Sequence, residues 1–158
     1  MIWLLPREII EVRPIGFVRR ASSNEDVKDK SLVSEVVLEE DFAKALDGIE
    51  DFSHIFIIFW MHKISEAERT TLQVHPQGRA ELPITGVFAT RAPIRPNPIG
   101  LTLVELTKRR KNVLWVRGLD AYDGTLILDV KPYPDWEKGH WIVVKDFKAP
   151  KGLMEINK

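Results

Sequence analysis

The segment Thr90 to Leu101 holds three prolines in six residues, at positions 93, 96 and 98. Each proline fixes φ, removes a backbone donor and pushes the residue before it toward an extended conformation. The segment therefore excludes a helix or a central strand and predicts a rigid loop. Arg91 and Arg95 give that loop two guanidinium forks suited to a carboxylate or phosphate, and the Asn97 carboxamide suits a base edge or an amide. Gly100 lets another backbone or a ligand come close. A surface turn or a proline-rich peptide ligand is the bland alternative. Such ligands usually sit in flexible tails, whereas this loop lies between apolar runs, which favours a built site.

The flanking pattern reads as strands with short connections. Glu8–Arg19, Leu32–Leu38, Ile84–Thr90, Leu101–Thr107, Val113–Leu119 and Thr125–Val130 each fit one strand, and Ile142–Val144 adds a further candidate. His54–His62 is nearly all apolar, as expected of a strand covered on both faces. Glu39–Leu46 predicts a short helix closed by Asp47-Gly48, and Ile64–Gly78 a short helix and loop. Seven or eight closely spaced strands predict an all-β fold, a compact barrel or tightly curled sheet. With 158 residues and no linker or repeat, one domain is expected, with its core over about 10–136 and a C-terminal extension over 137–158. Trp60, Trp115, Trp136 and Trp141 are assigned to the core or a dimer interface.

Charge is informative once resolved along the chain. Lys and Arg total 23 and so do Asp and Glu, but residues 1–60 carry 7 basic against 12 acidic side chains. Between Arg69 and Arg117 nine bases face two acids, enough for a local phosphate-attracting surface. Its densest part, Lys108-Arg109-Arg110-Lys111, reads either as a nucleic-acid contact or as a solvated turn between strands. Cysteine is absent, which excludes a disulfide framework and thiolate chemistry. The longest apolar run, Ile55–Met61, is seven residues, too short for a membrane helix, and the apolar opening breaks at Pro6 before a signal core develops. A cytoplasmic protein is expected.

The nine glycines are never closer than six residues apart, so neither a Rossmann fingerprint nor a P-loop exists. The four histidines lack metal-ligand spacing, and no metal site is expected.

The run Gly86-Val87-Phe88-Ala89-Thr90-Arg91-Ala92-Pro93-Ile94-Arg95-Pro96-Asn97-Pro98-Ile99-Gly100-Leu101-Thr102-Leu103-Val104 closely resembles the signature of the TsaA-like family, also known as TrmO, the tRNA N6-threonylcarbamoyladenosine methyltransferases. Ile15–Arg19, Leu46–His54 and Leu119–Thr125 with Asp129–Tyr133 match in the same order, so the resemblance covers about residues 10–136. It implies a non-Rossmann β-barrel that binds S-adenosyl-L-methionine and works as a homodimer on tRNA. Carried onto this chain, the cofactor contacts are His62, Lys63, Arg91, Leu101 and the turn Asp120, Ala121, Tyr122 and Asp123. The resemblance ends soon after the core, so the extra C-terminal domain of longer bacterial relatives is not expected here.

The cofactor is a sulfonium with an amino-acid tail and an adenosine. Its carboxylate suits Arg91, its ammonium and ribose hydroxyls suit Asp120 or Asp123, and Ile99 and Leu101 suit adenine. A base assisting the urea-like N6 of the substrate has three candidates, Asp123, Asp120 and His62, with Tyr122 stacking or hydrogen-bonding nearby. Asp123-Gly124 is equally a common hairpin-turn pair, and His62 equally a strand-end histidine. Arg95, Asn97, Arg79, Arg109 and Arg110 are candidate tRNA contacts. The competing functions are a non-catalytic RNA-binding barrel and a methyltransferase acting on a small metabolite.

Overall fold

The computed structural model describes residues 9–21 and 24–133. Eight strands occur there: β1 (Gly16–Arg19), β2 (Val33–Leu38), β3 (His54–Trp60), β4 (Gln73–Val74), β5 (Thr85–Gly86), β6 (Ile99–Arg110), β7 (Val113–Arg117) and β8 (Leu126–Pro132). Six close into a barrel in the order β1-β2-β7-β6-β3-β8, and β4 pairs with β5 as a separate ribbon. All barrel pairings given by register are antiparallel. The all-β expectation holds, with every helix in the described residues a short 3-10 turn.

Alternation builds the interior. Val18, Val36, Ile55, Ile57, Leu114, Val116 and Ile127 are all fully buried, so side chains fill the barrel and leave no channel. Strand β3 departs from the expected burial on both faces: Ile55, Ile57 and Phe59 point in, while Phe56, Ile58 and Trp60 are only half-buried. A bulge between Ile58 and Phe59, where β3 pairs with β8, bends the wall next to the end where the proline-rich loop attaches.

Several expected boundaries shift for local reasons. Strand β1 begins only at Gly16, because Pro14 has no donor for a ladder and Ile9 and Ile10 lie in solvent. The Ile84–Thr90 stretch is a strand only at Thr85–Gly86; Val87–Ala89 then turns as a 3-10 helix, with Val87 buried and the Thr90 hydroxyl donating to the Val87 carbonyl at 2.9 Å. The Glu39–Leu46 helix is a 3-10 helix over Glu40–Leu46. Strand β6 runs through Lys108, Arg109 and Arg110, leaving only Lys111-Asn112 to turn, with Lys111 at φ +53°. Ile142–Val144, Trp136 and Trp141 lie outside the described residues.

Two glycines are required by close approach. A Cβ on Gly16 would lie 2.2 Å from the Val37 carbonyl oxygen, and one on Gly100 would lie 2.3 Å from the Phe59 ring. Gly100 is paired directly with Phe59 across the β3–β6 ladder, so the ring covers the bare backbone there.

Candidate functional site

One end of the barrel collects most of the residues expected around the cofactor. Strand β3 leaves the wall at Trp60, and the Met61 amide donates to the Pro98 carbonyl at 2.7 Å, fastening the His62-Lys63 corner to the proline-rich loop. That loop enters β6 at Ile99, so Leu101 and Thr102 sit in the first turn of ladder beyond it. The Arg91 guanidinium donates to the Leu101 carbonyl, and the Thr102 hydroxyl donates to the Asp120 carboxylate. Between β7 and β8, Leu119 and Ala121 are buried while Asp120 and Asp123 are exposed. The Tyr122 ring lies 3.6 Å beneath the Lys63 ammonium, a cation–π contact. The Thr125 hydroxyl lies 3.4 Å from His62 Nδ1. Arg91, Leu101, Asp120, Tyr122, Lys63 and His62 thus form one linked series.

The loop is braced by two further arginines. Arg95 Nη2 donates to the Val87 and Thr90 carbonyls at 2.8 and 2.9 Å, so Arg95 holds the loop's own shape. Arg69 Nε donates to the Pro96 carbonyl at 2.8 Å while its guanidinium lies 5.4 Å from the Trp60 ring centroid. Arg69 is presented by a capping box: the Ser65 amide and hydroxyl donate to the Glu68 carboxylate at 2.8 and 2.7 Å, and the Glu68 amide donates back to the Ser65 hydroxyl. The Ser65 hydroxyl, then its amide, hold the Glu68 carboxyl below its usual pKa. The Asn97 side chain is exposed at the loop's crest, and its backbone carbonyl accepts from Ile99 N at 2.7 Å.

The remaining basic candidates lie elsewhere. Arg109 is held by the fold. It sits near the far end of β6, roughly 25 Å from Leu101 at strand rise. Its guanidinium donates to the Ala43 and Leu46 carbonyls and to the carboxylates of Asp47 and Glu50, all between 2.8 and 3.0 Å. With a side chain only 11% exposed, it clamps the 3-10 helices. The Asp47 carboxylate, more than any other group, raises its pKa. Arg110 and Lys111 remain exposed at that end. Arg79 pairs with Glu81 at 2.6 Å on the 75–82 loop.

Arg20, Thr102, Thr125 and Arg69 escaped the sequence reading as site-building residues. A signal existed for Arg20: Gly16 and Val18 set the inward phase, and position 20 continues it. An arginine on an inward phase needs several partners, which marks it as a brace.

An outward apolar stripe adjoins the site. Register pairs Trp60 with Ile99, Ile58 with Leu101 and Phe56 with Leu103. Ile99, Leu101 and Leu103 are each more than 40% exposed. Among the described residues, no helix is long and apolar enough to cross a membrane, and no three metal-ligating side chains cluster.

Comparison with known proteins identifies relatives. The family model for the tRNA-methyltransferase O N-terminal domain matches residues 22–136. A protein of Methanothermobacter thermautotrophicus named "probable S-adenosyl-L-methionine-binding protein" is 45% identical over 129 residues, covering 78% of this chain and 90% of its own. A mouse protein named tRNA (adenine(37)-N6)-methyltransferase is 39% identical over 113 residues, covering 72% of this chain and 23% of its own. The crystal structure of TrmO from Pseudomonas aeruginosa superposes with a TM-score of 0.66 at 29% identity, over 86% of this chain and 61% of that one. The chain thus spans 61% of the solved TrmO and less than a quarter of the mouse protein.

Proposed function

The chain belongs to the tRNA-methyltransferase O N-terminal domain family, and on that premise we propose that it is an S-adenosyl-L-methionine-dependent methyltransferase acting on N6 of a tRNA adenosine. The finer reading is threonylcarbamoyladenosine at position 37, beside the anticodon. The observation that carries the proposal is the convergence of Arg91, Leu101 and Asp120 with the Lys63–Tyr122 pair at one barrel end.

These residues fit the cofactor by donor set. Arg91 offers a fork for the amino-acid carboxylate. Asp120 and Asp123 offer acceptors for the ammonium and the ribose hydroxyls, while Ile99 and Leu101 present exposed apolar surface to adenine. Bound there, S-adenosyl-L-methionine supplies a sulfonium methyl: the N–CH3 bond forms as the S–CH3 bond breaks and its electron pair stays on sulfur. The chain's part is to hold the nucleophilic nitrogen in line and to take its proton. Asp120 is the first candidate for the proton on this reading, supported by the Thr102 hydroxyl that donates to its carboxylate. Asp123 and His62 are the other acceptors at this end. The proton then leaves to water.

tRNA engages, on this reading, through Asn97 at the loop crest and through exposed Arg110, with Arg79 reaching phosphate once it leaves Glu81. The chain works as a homodimer in the cytoplasm, with the stripe of Phe56, Ile58, Trp60, Ile99, Leu101 and Leu103 as the shared face. Leu101 joins that face to the cofactor site.

Calorimetric titration with S-adenosyl-L-methionine tests the site. Wild type binds, and Arg91→Ala binds about 10- to 100-fold more weakly, the loss expected for a charge-assisted fork, with an unchanged circular dichroism spectrum. Equal affinity in the two proteins removes Arg91 from the site, and no binding by wild type refutes the functional reading.

A further inference from the structure

Arg20 follows the last residue of β1 on the inward phase and is 8% exposed. Its Nη1 donates to the Leu119 carbonyl at 3.0 Å, the Ala121 carbonyl at 3.3 Å and the Ser34 hydroxyl at 3.3 Å. Its Nη2 donates to the Asp26 carbonyl at 3.3 Å, and its backbone amide donates to Asp123 Oδ1 at 2.8 Å. Burying a guanidinium carries a desolvation cost that only well-placed acceptors offset. Here the acceptors come from Ser34 on β2 and from two segments outside the barrel ladder, the 3-10 helix Asn24–Lys28 and the turn between β7 and β8.

We propose that Arg20 is a positioning residue that ties the 119–123 turn and the 24–28 helix into one preformed cradle, and that it sets cofactor affinity without touching the cofactor. The inference rests on reading that turn as part of the cofactor site. The turn alternates: Leu119 and Ala121 are buried, whereas Asp120 is exposed and Tyr122 half-buried. Anchoring the carbonyls of 119 and 121 inward presents the side chains of 120 and 122 outward. Binding to a segment already held in shape avoids an ordering cost at the moment of association. A lysine cannot replace this fork, because an ammonium is a point donor and the acceptors lie on three separate segments.

The test compares wild type with Arg20→Lys and Arg20→Met as full chains, by hydrogen exchange without ligand and by calorimetry with S-adenosyl-L-methionine. Gly124 N, bonded to the Val18 carbonyl at 2.8 Å, and Asp29 N, bonded to the Asp26 carbonyl at 2.9 Å, report on the two segments. Arg20→Met is expected to exchange at least tenfold faster at both while β3 and β6 amides keep their protection, and to bind at least tenfold more weakly. Arg20→Lys is expected to show a smaller effect of the same pattern. Should Arg20→Met fail to fold, Arg20→Lys decides alone by the same local pattern. Unchanged exchange at both reporters, affinity within twofold of wild type, or faster exchange spread evenly over β3 and β6 overturns the proposal. Failure of the functional reading is separable: wild type then binds no cofactor, and the ligand-free exchange still decides whether Arg20 orders the cradle.

Discussion

Replacing Gly100 by Ala tests how tightly the site strand is built onto the core. The new Cβ would lie 2.3, 2.4 and 2.9 Å from Phe59 Cε2, Cζ and Cδ2, against the roughly 3.5–4.0 Å of an ordinary carbon contact. The ring must retreat by about 1 Å or more, and Phe59 is only 5% exposed among core side chains. Overpacking of this kind costs about 1–3 kcal/mol. Losing a glycine from the unfolded chain returns about 0.4–1 kcal/mol. The net expectation is a destabilisation of about 1–2 kcal/mol, or a Tm lowered by roughly 2–8 °C for a chain this size. Gly86→Ala is the control, since a Cβ there meets nothing within 4 Å; its Tm should stay level or rise slightly. Phe59→Leu should cost less in the Gly100→Ala background than alone, giving a coupling of at least 0.5 kcal/mol, within the range for touching residues. Thermal melts of wild type and these four variants read this out. A Gly100→Ala protein as stable as Gly86→Ala, or strictly additive effects with Phe59→Leu, would refute the packing argument.

Other consequences are equally measurable. Arg109→Met removes three bonds to backbone carbonyls and two ion pairs with exposed carboxylates, so about 1–3 kcal/mol of stability should go, while methyl transfer at 25 °C stays within twofold of wild type; a selective loss of tRNA binding would instead make Arg109 a substrate contact. Leu103→Asp puts a charge on the outward stripe and should shift sedimentation from dimer to monomer with Tm little changed, whereas an unchanged mass would clear that face of any role in association. Hydrogen bonds from Ser31 and Ser65 lower the pKa of Asp29 and Glu68 from ordinary values of 3.8 and 4.5. A carboxyl lowered on folding contributes stability that is whole above its unfolded pKa and fades as pH falls through the folded one. Melting should therefore be insensitive to these groups from pH 7 to 5 and weaken below about pH 4, with Glu68→Gln blunting that acid limb; an identical limb in the variant would remove Glu68 from it.

Much of this architecture was legible in the residues. The runs Leu32–Leu38 and Val113–Leu119 fall on β2 and β7, and the prolines at 93, 96 and 98 marked a loop that forms no strand or helix. Arg91, Leu101, Asp120, Tyr122, Lys63 and His62 were nominated through motif resemblance, and the fold brings them to one end. The basic cluster at 108–111 was the least legible. Four consecutive cations look alike in sequence, but strand alternation and the 3-10 helices packed on β6 bury the Arg109 guanidinium and leave Arg110 in solvent. Arg20 was missed for the opposite reason. Its neighbour Arg19 is an exposed strand residue, and only the phase of β1 separates the two. The site's hydroxyls, Thr102 and Thr125, carry no local signal, because their partners lie 18 and 63 residues away.

The central claim is methyl transfer to a tRNA adenosine. Purified protein is incubated with S-adenosyl-L-methionine labelled in its methyl group and with tRNA bearing threonylcarbamoyladenosine at position 37, followed by nucleoside mass spectrometry. The account predicts label on N6 of that nucleoside, with transfer by the Arg91→Ala protein at least about tenfold slower at sub-saturating cofactor. Cofactor binding without label in any nucleoside of the tRNA would contradict it.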